Sequence, residues 1–285
     1  MIPHDLDQRL AATPGTVSAY VGRLDTPPAY TRQPDDTHYA ASTMKIAVLA
    51  ALHRATEAGT VDPDRPVAVR NEFDSAHPGA PRFGCAPDYD NDPVVWAHLD
   101  GTASLRWLAR RMIVRSSNLA TNIVLAHVGL PGLADVWRLA GARHSVTERG
   151  IEDYAARDAG LTNLVTAADL AALLATIAAG ATRPGPLAAP EHCAQMLEVL
   201  RAQEHRDCLP AGLPPGTPIA HKSGWITGVR HDAGVVLPAD APPYSVVVCT
   251  TADPAADGFD RATHDAAARR LIADLSAAAW QGRHG

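Results

Sequence analysis

Three short polar clusters, far apart in the chain, have the residue types and spacing that acyl transfer requires. The first is Ser42-Thr43-Met44-Lys45, placed where a polar connection enters a helical pattern. One helical turn separates residues i and i+3, so the Lys45 amine lies within reach of the Ser42 hydroxyl. A serine hydroxyl is a poor nucleophile until a neighbour takes its proton. Lysine becomes that neighbour when burial or a second cation lowers its pKa. The helix N-terminus adds backbone N–H groups for a developing oxyanion. Alone, this spacing is equally that of an N-cap serine followed by a solvated lysine.

The second cluster is Ser116-Ser117-Asn118, with Asn122 one turn further on. Ser116 is suited to relaying a proton, Asn118 to holding a substrate amide, and Asn122 to bracing the loop. The competing reading is a Ser/Asn turn that caps the helix beginning near Ala120. The third is His221-Lys222-Ser223-Gly224, on a strand near the end of the chain. Lys222 supplies a second cation, Ser223 a hydroxyl for an anionic group, and Gly224 close backbone approach. Its alternative is an edge-strand lysine followed by a turn glycine.

In this order, S-x-x-K, S-x-N and K-[ST]-G form a combined signature. The sequence resembles the penicillin-recognising serine hydrolases and, among them, the class A β-lactamase-like enzymes, from the strand near Val17 through the closing helix. The resemblance implies that Ser42 is the acylated nucleophile and Lys45 its base or proton carrier. Ser116 would relay a proton to the leaving nitrogen, and Asn118 would bind the substrate's amide side chain. Lys222 and Ser223 would anchor a substrate carboxylate, with Gly224 beside them. Backbone N–H groups of Ser42 and Trp225 would form the oxyanion hole, and Arg230 would add a carboxylate contact. The substrate implied is a small molecule, a β-lactam or a related amide or ester.

Two departures from the family pattern matter. Ser117 stands where class A enzymes usually carry an Asp that is mainly structural. The water-activating Glu is displaced too, because aligning Thr166 with the family's threonine puts that position near Gly150. Glu148 and Glu152 flank it, and Glu152 is the preferred candidate, the alternative being two loop-bracing carboxylates. An esterase, DD-peptidase or transacylase on the same scaffold, or a non-catalytic binding module, are the competing functions.

Around these clusters, Val17 to Leu24 alternates as a strand, and Thr43 to Ala58 reads as a helix stopped by Gly59. Val67 to Asp100 is a long irregular connection. Helical patterns follow around Leu105 to Met112, at Ala120 to Val128, Leu133 to Leu139, Thr166 to Ala179 and Glu191 to Gln203. Thr166 and Asp169 have the spacing of a capping box. Pro218 to Gly224, His231 to Leu237 and Tyr244 to Thr251 read as strands, and Arg261 to Trp280 as a final helix. Strands segregated from helices predict an α+β fold. The expected single domain has an antiparallel sheet lobe built from both chain ends (1–41 with 206–285) and a helical lobe (42–205).

The bulk numbers narrow the partners. The 285 residues are 46% hydrophobic and 20% charged, with a net charge of −6, ordinary for a soluble domain. Neither net charge nor any compact Lys/Arg run predicts nucleic-acid binding. The thirteen histidines form no H-E-x-x-H and no other compact ligand set, which predicts no metal. No P-loop or Rossmann glycine pattern appears, so no cofactor is expected. Four cysteines without CxxC spacing read as free thiols, Cys249 as a small core residue. The start MIPHDLDQRL lacks a basic stretch followed by an apolar one, and no segment reads as a membrane span. As written this predicts a cytoplasmic protein, with export the alternative if the true start lies upstream, and a monomer is expected.

Overall fold

The computed structural model describes residues 2–253, 255 and 260–284. Nine helices occur among the described residues: α1 (His4–Ala12), α2 (Lys45–Glu57), α3 (Pro93–Trp96), α4 (Leu105–Val114), α5 (Asn118–Leu139), α6 (Tyr154–Asp158), α7 (Ala167–Gly180), α8 (Pro190–Arg201) and α9 (Arg261–Gln281). The strands are β1 (Thr16–Arg23), β2 (Tyr30–Arg32), β3 (His38–Tyr39), β4 (Pro66–Ala68), β5 (Thr102–Ser104), β6 (Val146–Thr147), β7 (Asn163–Val165), β8 (Ile219–Ile226), β9 (Val229–Val236) and β10 (Tyr244–Thr251).

The chain ends meet in one five-stranded sheet of order β2-β1-β10-β9-β8. β1 pairs antiparallel with β10, Thr16 opposite Thr251 and Arg23 opposite Tyr244. This is the α+β architecture expected. The continuous apolar run of β10 follows from burial on both faces. Tyr244, Val246 and Val248 join a cluster with Leu271, Ile272 and Leu275 of α9 and Leu6 and Leu10 of α1. Val247 and Cys249 join the opposite cluster with Leu170, Leu173, Leu119 and Ile46. Each fully buried valine contributes about 1.5–3 kcal/mol relative to exposure. β8 lies at the sheet edge, so one side of its backbone is left for other groups.

The structure corrects several sequence expectations. α1 has no counterpart among them; only Leu6 and Leu10 of its nine residues are buried, too sparse a pattern to mark it. The two helices expected at 120–128 and 133–139 form one run, α5, broken at Gly129 with φ 71° and ψ 155°. By length and apolarity α5 also meets the measure of a membrane span, contrary to expectation. It is a core helix, with Leu119, Ile123, Val124, Leu133 and Val136 buried in the larger hydrophobic cluster. The Thr166 hydroxyl does accept from Asp169 N (3.0 Å), as a cap should. Asp169, however, accepts from the N–H groups of Arg143, His144 and Ser145 at 2.7–2.9 Å instead of closing a capping box. All four cysteines are buried free thiols.

Candidate active site

A 3₁₀ turn at Ala41–Met44 leads into α2. The turn is tight: Ala41 has φ 46°, and Thr43 donates through both N (3.1 Å) and Oγ1 (2.6 Å) to Ala40 O. Ser42 is partly exposed, while the chain from Thr43 to His53 is buried behind it. The edge strand β8 passes directly alongside. A Cβ at Gly224 would lie 2.8 Å from Ser42 N and 2.9 Å from Thr43 N, so only glycine allows this approach. The backbone at Gly224 is thereby set beside the Ser42 amide, one of the donors an oxyanion hole uses.

Lys45 is fully buried. Its Nζ donates to Ser116 O (2.7 Å), Ser116 Oγ (3.2 Å) and Asn118 Oδ1 (2.9 Å). These acceptors occupy all three ammonium protons, and among the described residues no hydrogen bond joins Lys45 to Ser42. Burial pushes the Lys45 pKa down to about 7, against the opposing pull of Asp90, Cys85 and Glu152. Near neutral pH the amine therefore exists in large part with a free lone pair, the form able to take a proton from Ser42. Lys222, also fully buried, donates to the same Ser116 Oγ at 3.1 Å and to Ser223 O at 2.7 Å. Burial and the Lys45 charge hold its pKa well below the lysine range. Ser116 sits at φ 62°. Such strain persists where surrounding contacts over-determine it.

Asn118 is engaged at both ends of its amide, accepting from Lys45 and donating through Nδ2 to Tyr89 O at 3.0 Å. A hydrogen bond from Asn118 also helps to oppose the rise of the Glu152 pKa, which leaves the second lone pair of Oδ1 for a substrate amide. Asn122 braces the neighbouring loop, Oδ1 accepting from Ile151 N and Nδ2 donating to Ile151 O, both at 2.8 Å.

That brace places Glu152, at φ 67°, within electrostatic range of Lys45. Its Oε2 accepts from Ala86 N at 2.8 Å, while Oε1 is buried without a partner. Burial raises its pKa, and the Ala86 N–H opposes that shift. Glu148 is used differently, its Oε2 accepting from Thr162 N at 2.9 Å. Gly150 packs where a Cβ would meet Phe83 Cζ at 2.8 Å.

On the opposite side, the Ser223 hydroxyl is buried and unpaired. Arg230 does not offer a free charge. Its Nε and Nη2 donate to Asp265 Oδ1 at 2.8 and 2.5 Å, and the guanidinium lies 4.9 Å from the Trp225 ring. Asp265 lies 35 residues further along the chain, so no local pattern announces the pairing. His221 and His231 diverge. His231 Nε2 donates to Tyr39 O (2.9 Å) and Nδ1 accepts from Thr250 N (3.1 Å), as a satisfied strand histidine does. His221 Nδ1 pairs with Asp232 Oδ1 (2.9 Å), and its Nε2 has no partner.

Three groups at the site carry no motif. His205 stacks edge-on against Trp225 with ring centroids 4.9 Å apart, and burial lowers its pKa. Asp90 holds the start of α5, and Ala86 holds Glu152 through a backbone N–H, which no sequence pattern reveals. All but His205 lie on the long connection between β4 and β5. Lys45 and Lys222 are moreover the only two lysines in the chain.

The sequence model of the Beta-lactamase enzyme family matches residues 3–282. A search of curated proteins finds no match. Among solved structures, a β-lactamase from Sphaerobacter thermophilus is 25% identical with a TM-score of 0.77, over 98% of this chain and 96% of that one. PBP-A, solved as a point mutant in an acyl-enzyme complex with penicillin G, is 24% identical with a TM-score of 0.75, over 98% and 94%. A β-lactamase from Xanthomonas campestris is 21% identical with a TM-score of 0.77, over 99% and 98%.

Proposed function

This chain belongs to the Beta-lactamase enzyme family, whose members are serine enzymes of the β-lactamase and penicillin-binding kind, and from that premise we propose that it hydrolyses β-lactams or related amides and esters through an acyl-enzyme on Ser42. The observation that carries the reading is the meeting of Lys45 and Lys222 on Ser116 Oγ, next to the close approach of Gly224 to the Ser42 amide.

Neutral Lys45 takes the Ser42 proton as Oγ bonds to the carbonyl carbon. The oxyanion is held by the N–H groups of Ser42 and Trp225. The proton then passes from Lys45 through Ser116 to the leaving nitrogen as the C–N bond breaks. Lys222 and the unpaired Ser223 hydroxyl face a substrate carboxylate. Release follows class A logic: Glu152 takes a proton from water as the water oxygen bonds to the ester carbon, and that proton returns from Glu152 to Ser42 Oγ as the C–O bond breaks.

A second reading, an esterase, DD-peptidase or transacylase that releases acyl groups slowly to water, draws on one observation. Glu152 is tied to Ala86 N, with no hydrogen bond to Lys45 or Ser42 among the described residues.

The test is incubation with a chromogenic cephalosporin and with a penicillin, followed by turnover and intact mass. Rapid turnover supports hydrolysis, and a persistent adduct with little turnover supports the second reading. Neither adduct nor turnover, or an adduct that survives Ser42→Ala, overturns the assignment.

A further inference from the structure

Asp90 lies on the long connection and is remote in sequence from every motif of the site. Its Oδ2 accepts three hydrogen bonds, from Ser117 Oγ (3.0 Å), Asn118 N (2.9 Å) and Leu119 N (2.8 Å). Its Oδ1 accepts from Asp92 N at 3.0 Å. Asp92 is itself fully buried and paired with Arg111 of α4, whose Nε and Nη2 each donate to one carboxylate oxygen. Ser117 caps α5 by accepting from Ala120 N at 3.1 Å, and its hydroxyl proton goes to Asp90. The carboxylate thus binds the first two N–H groups of α5, where the helix dipole favours an anion.

Resting on the proposed function, we propose that Asp90 is a positioning residue for the Lys45–Ser116–Lys222 relay: by binding the start of α5 it fixes the Ser116 and Asn118 groups that receive the Lys45 ammonium. The geometry requires this coupling. Ser116 is held at positive φ, immediately before the segment Asp90 clamps, and both Ser116 and Asn118 accept from Lys45 Nζ. Helix capping alone is satisfied by Ser117, so the carboxylate adds something further: negative charge next to a buried amine.

The charged and titratable groups facing Lys45 are Asp90 and Glu152, which raise its pKa, Cys85, a thiol that burial keeps protonated, and Lys222, which repels it. Asp90 leads the groups that raise it. Without that charge Lys45 gives up its proton at lower pH, while loss of the clamp frees Ser116 from its left-handed conformation. Asp90 therefore trades the basicity of Lys45 against its position.

Because the chain has only two lysines, lysine-selective ¹³Cε labelling yields two signals, and Lys45→Gln identifies one of them. In Asp90→Asn, which keeps an acceptor oxygen but no charge, the Lys45 titration midpoint should fall by roughly one pH unit. The acid limb of penicillin acylation should move with it. In Asp90→Ala acylation should drop by about tenfold or more, and adding Ser117→Asp, which returns a carboxylate to the same helix start, should restore both midpoint and rate. An unchanged Lys45 midpoint in Asp90→Asn overturns the inference, as does an Asp90→Ala protein that loses melting temperature while keeping rate and acid limb. If the native protein forms no acyl adduct, the proposed function fails, and the NMR midpoint still decides the role of Asp90. Should Asp90→Asn not fold, Asp90→Ser, which keeps a hydroxyl acceptor without the charge, makes the same measurement.

Discussion

Lys45 and Lys222 converge on a single oxygen, Ser116 Oγ, at 3.2 and 3.1 Å. Two buried ammonium groups sharing one acceptor repel each other, and with burial this lowers the Lys222 pKa. Ser116 Oγ is the point at which the two amines meet.

This arrangement predicts the pH dependence of acylation. Lys45 must be neutral to accept the Ser42 proton, and its pKa is depressed to about 7. The acylation rate should rise with pH through about 7 and level off above it. A single-turnover profile with a slow penicillin measures it, and a rate that is flat between about pH 5.5 and 8.5 would remove Lys45 as the base. Lys45→Met should lower acylation by about 10²–10⁴-fold.

Glu152 should act after Ser42 is acylated. Glu152→Gln is expected to leave adduct formation within about threefold while slowing release by about 10²–10⁴-fold. Intact mass over time separates the two steps. Equal release from native and variant protein would assign Glu152 to loop structure.

Gly224 offers a geometric test. In Gly224→Ala the new methyl group meets the Ser42 and Thr43 amides, so strand and nucleophile turn must separate. A cost of about 1–3 kcal/mol in stability is expected, with loss of acylation beyond what the stability change explains. Melting temperature and adduct rate are the two readouts.

Acid should destabilise the fold through buried neutral histidines. Burial holds His38 at about 3 and His231 at about 4, both below the unfolded value near 6.5. Because the folded-state pKa is depressed, their stability contribution is complete above about pH 6.5. It is lost progressively as pH falls towards 4. For fully buried His231 the loss is of order 2–3 kcal/mol. Denaturant unfolding between about pH 7.5 and 4.5 checks this, and His231→Gln should flatten the profile.

What the sequence revealed follows from the reach of local rules. Ser42 and Lys45 are one turn apart, and β10 is an unbroken apolar run, so a sliding pattern exposes both. The union of the chain ends was legible because the N-terminal strand had too few neighbours to bury its face alone. Asp90, Ala86 and Asp265 were not legible, since each acts across dozens of residues through a backbone amide or a single ion pair. Between Glu148 and Glu152 the sequence leans to Glu152 without a spacing that requires it. The structure separates them through Asn122, which grips Ile151 and carries Glu152 towards Lys45 while Glu148 is spent on Thr162.

The long connection is sewn to the site at successive stitches. Asp153 accepts from Ser75 Oγ and Ala76 N at 2.7 and 2.8 Å, Ala86 binds Glu152, Tyr89 binds Asn118, and Asp90 binds α5. A segment fastened this way is a wall, and its length becomes a dial. An insertion or deletion there would retune the acylating and releasing sides together without touching Ser42, so relatives could diverge in substrate and lifetime of the covalent intermediate by editing one stretch of chain.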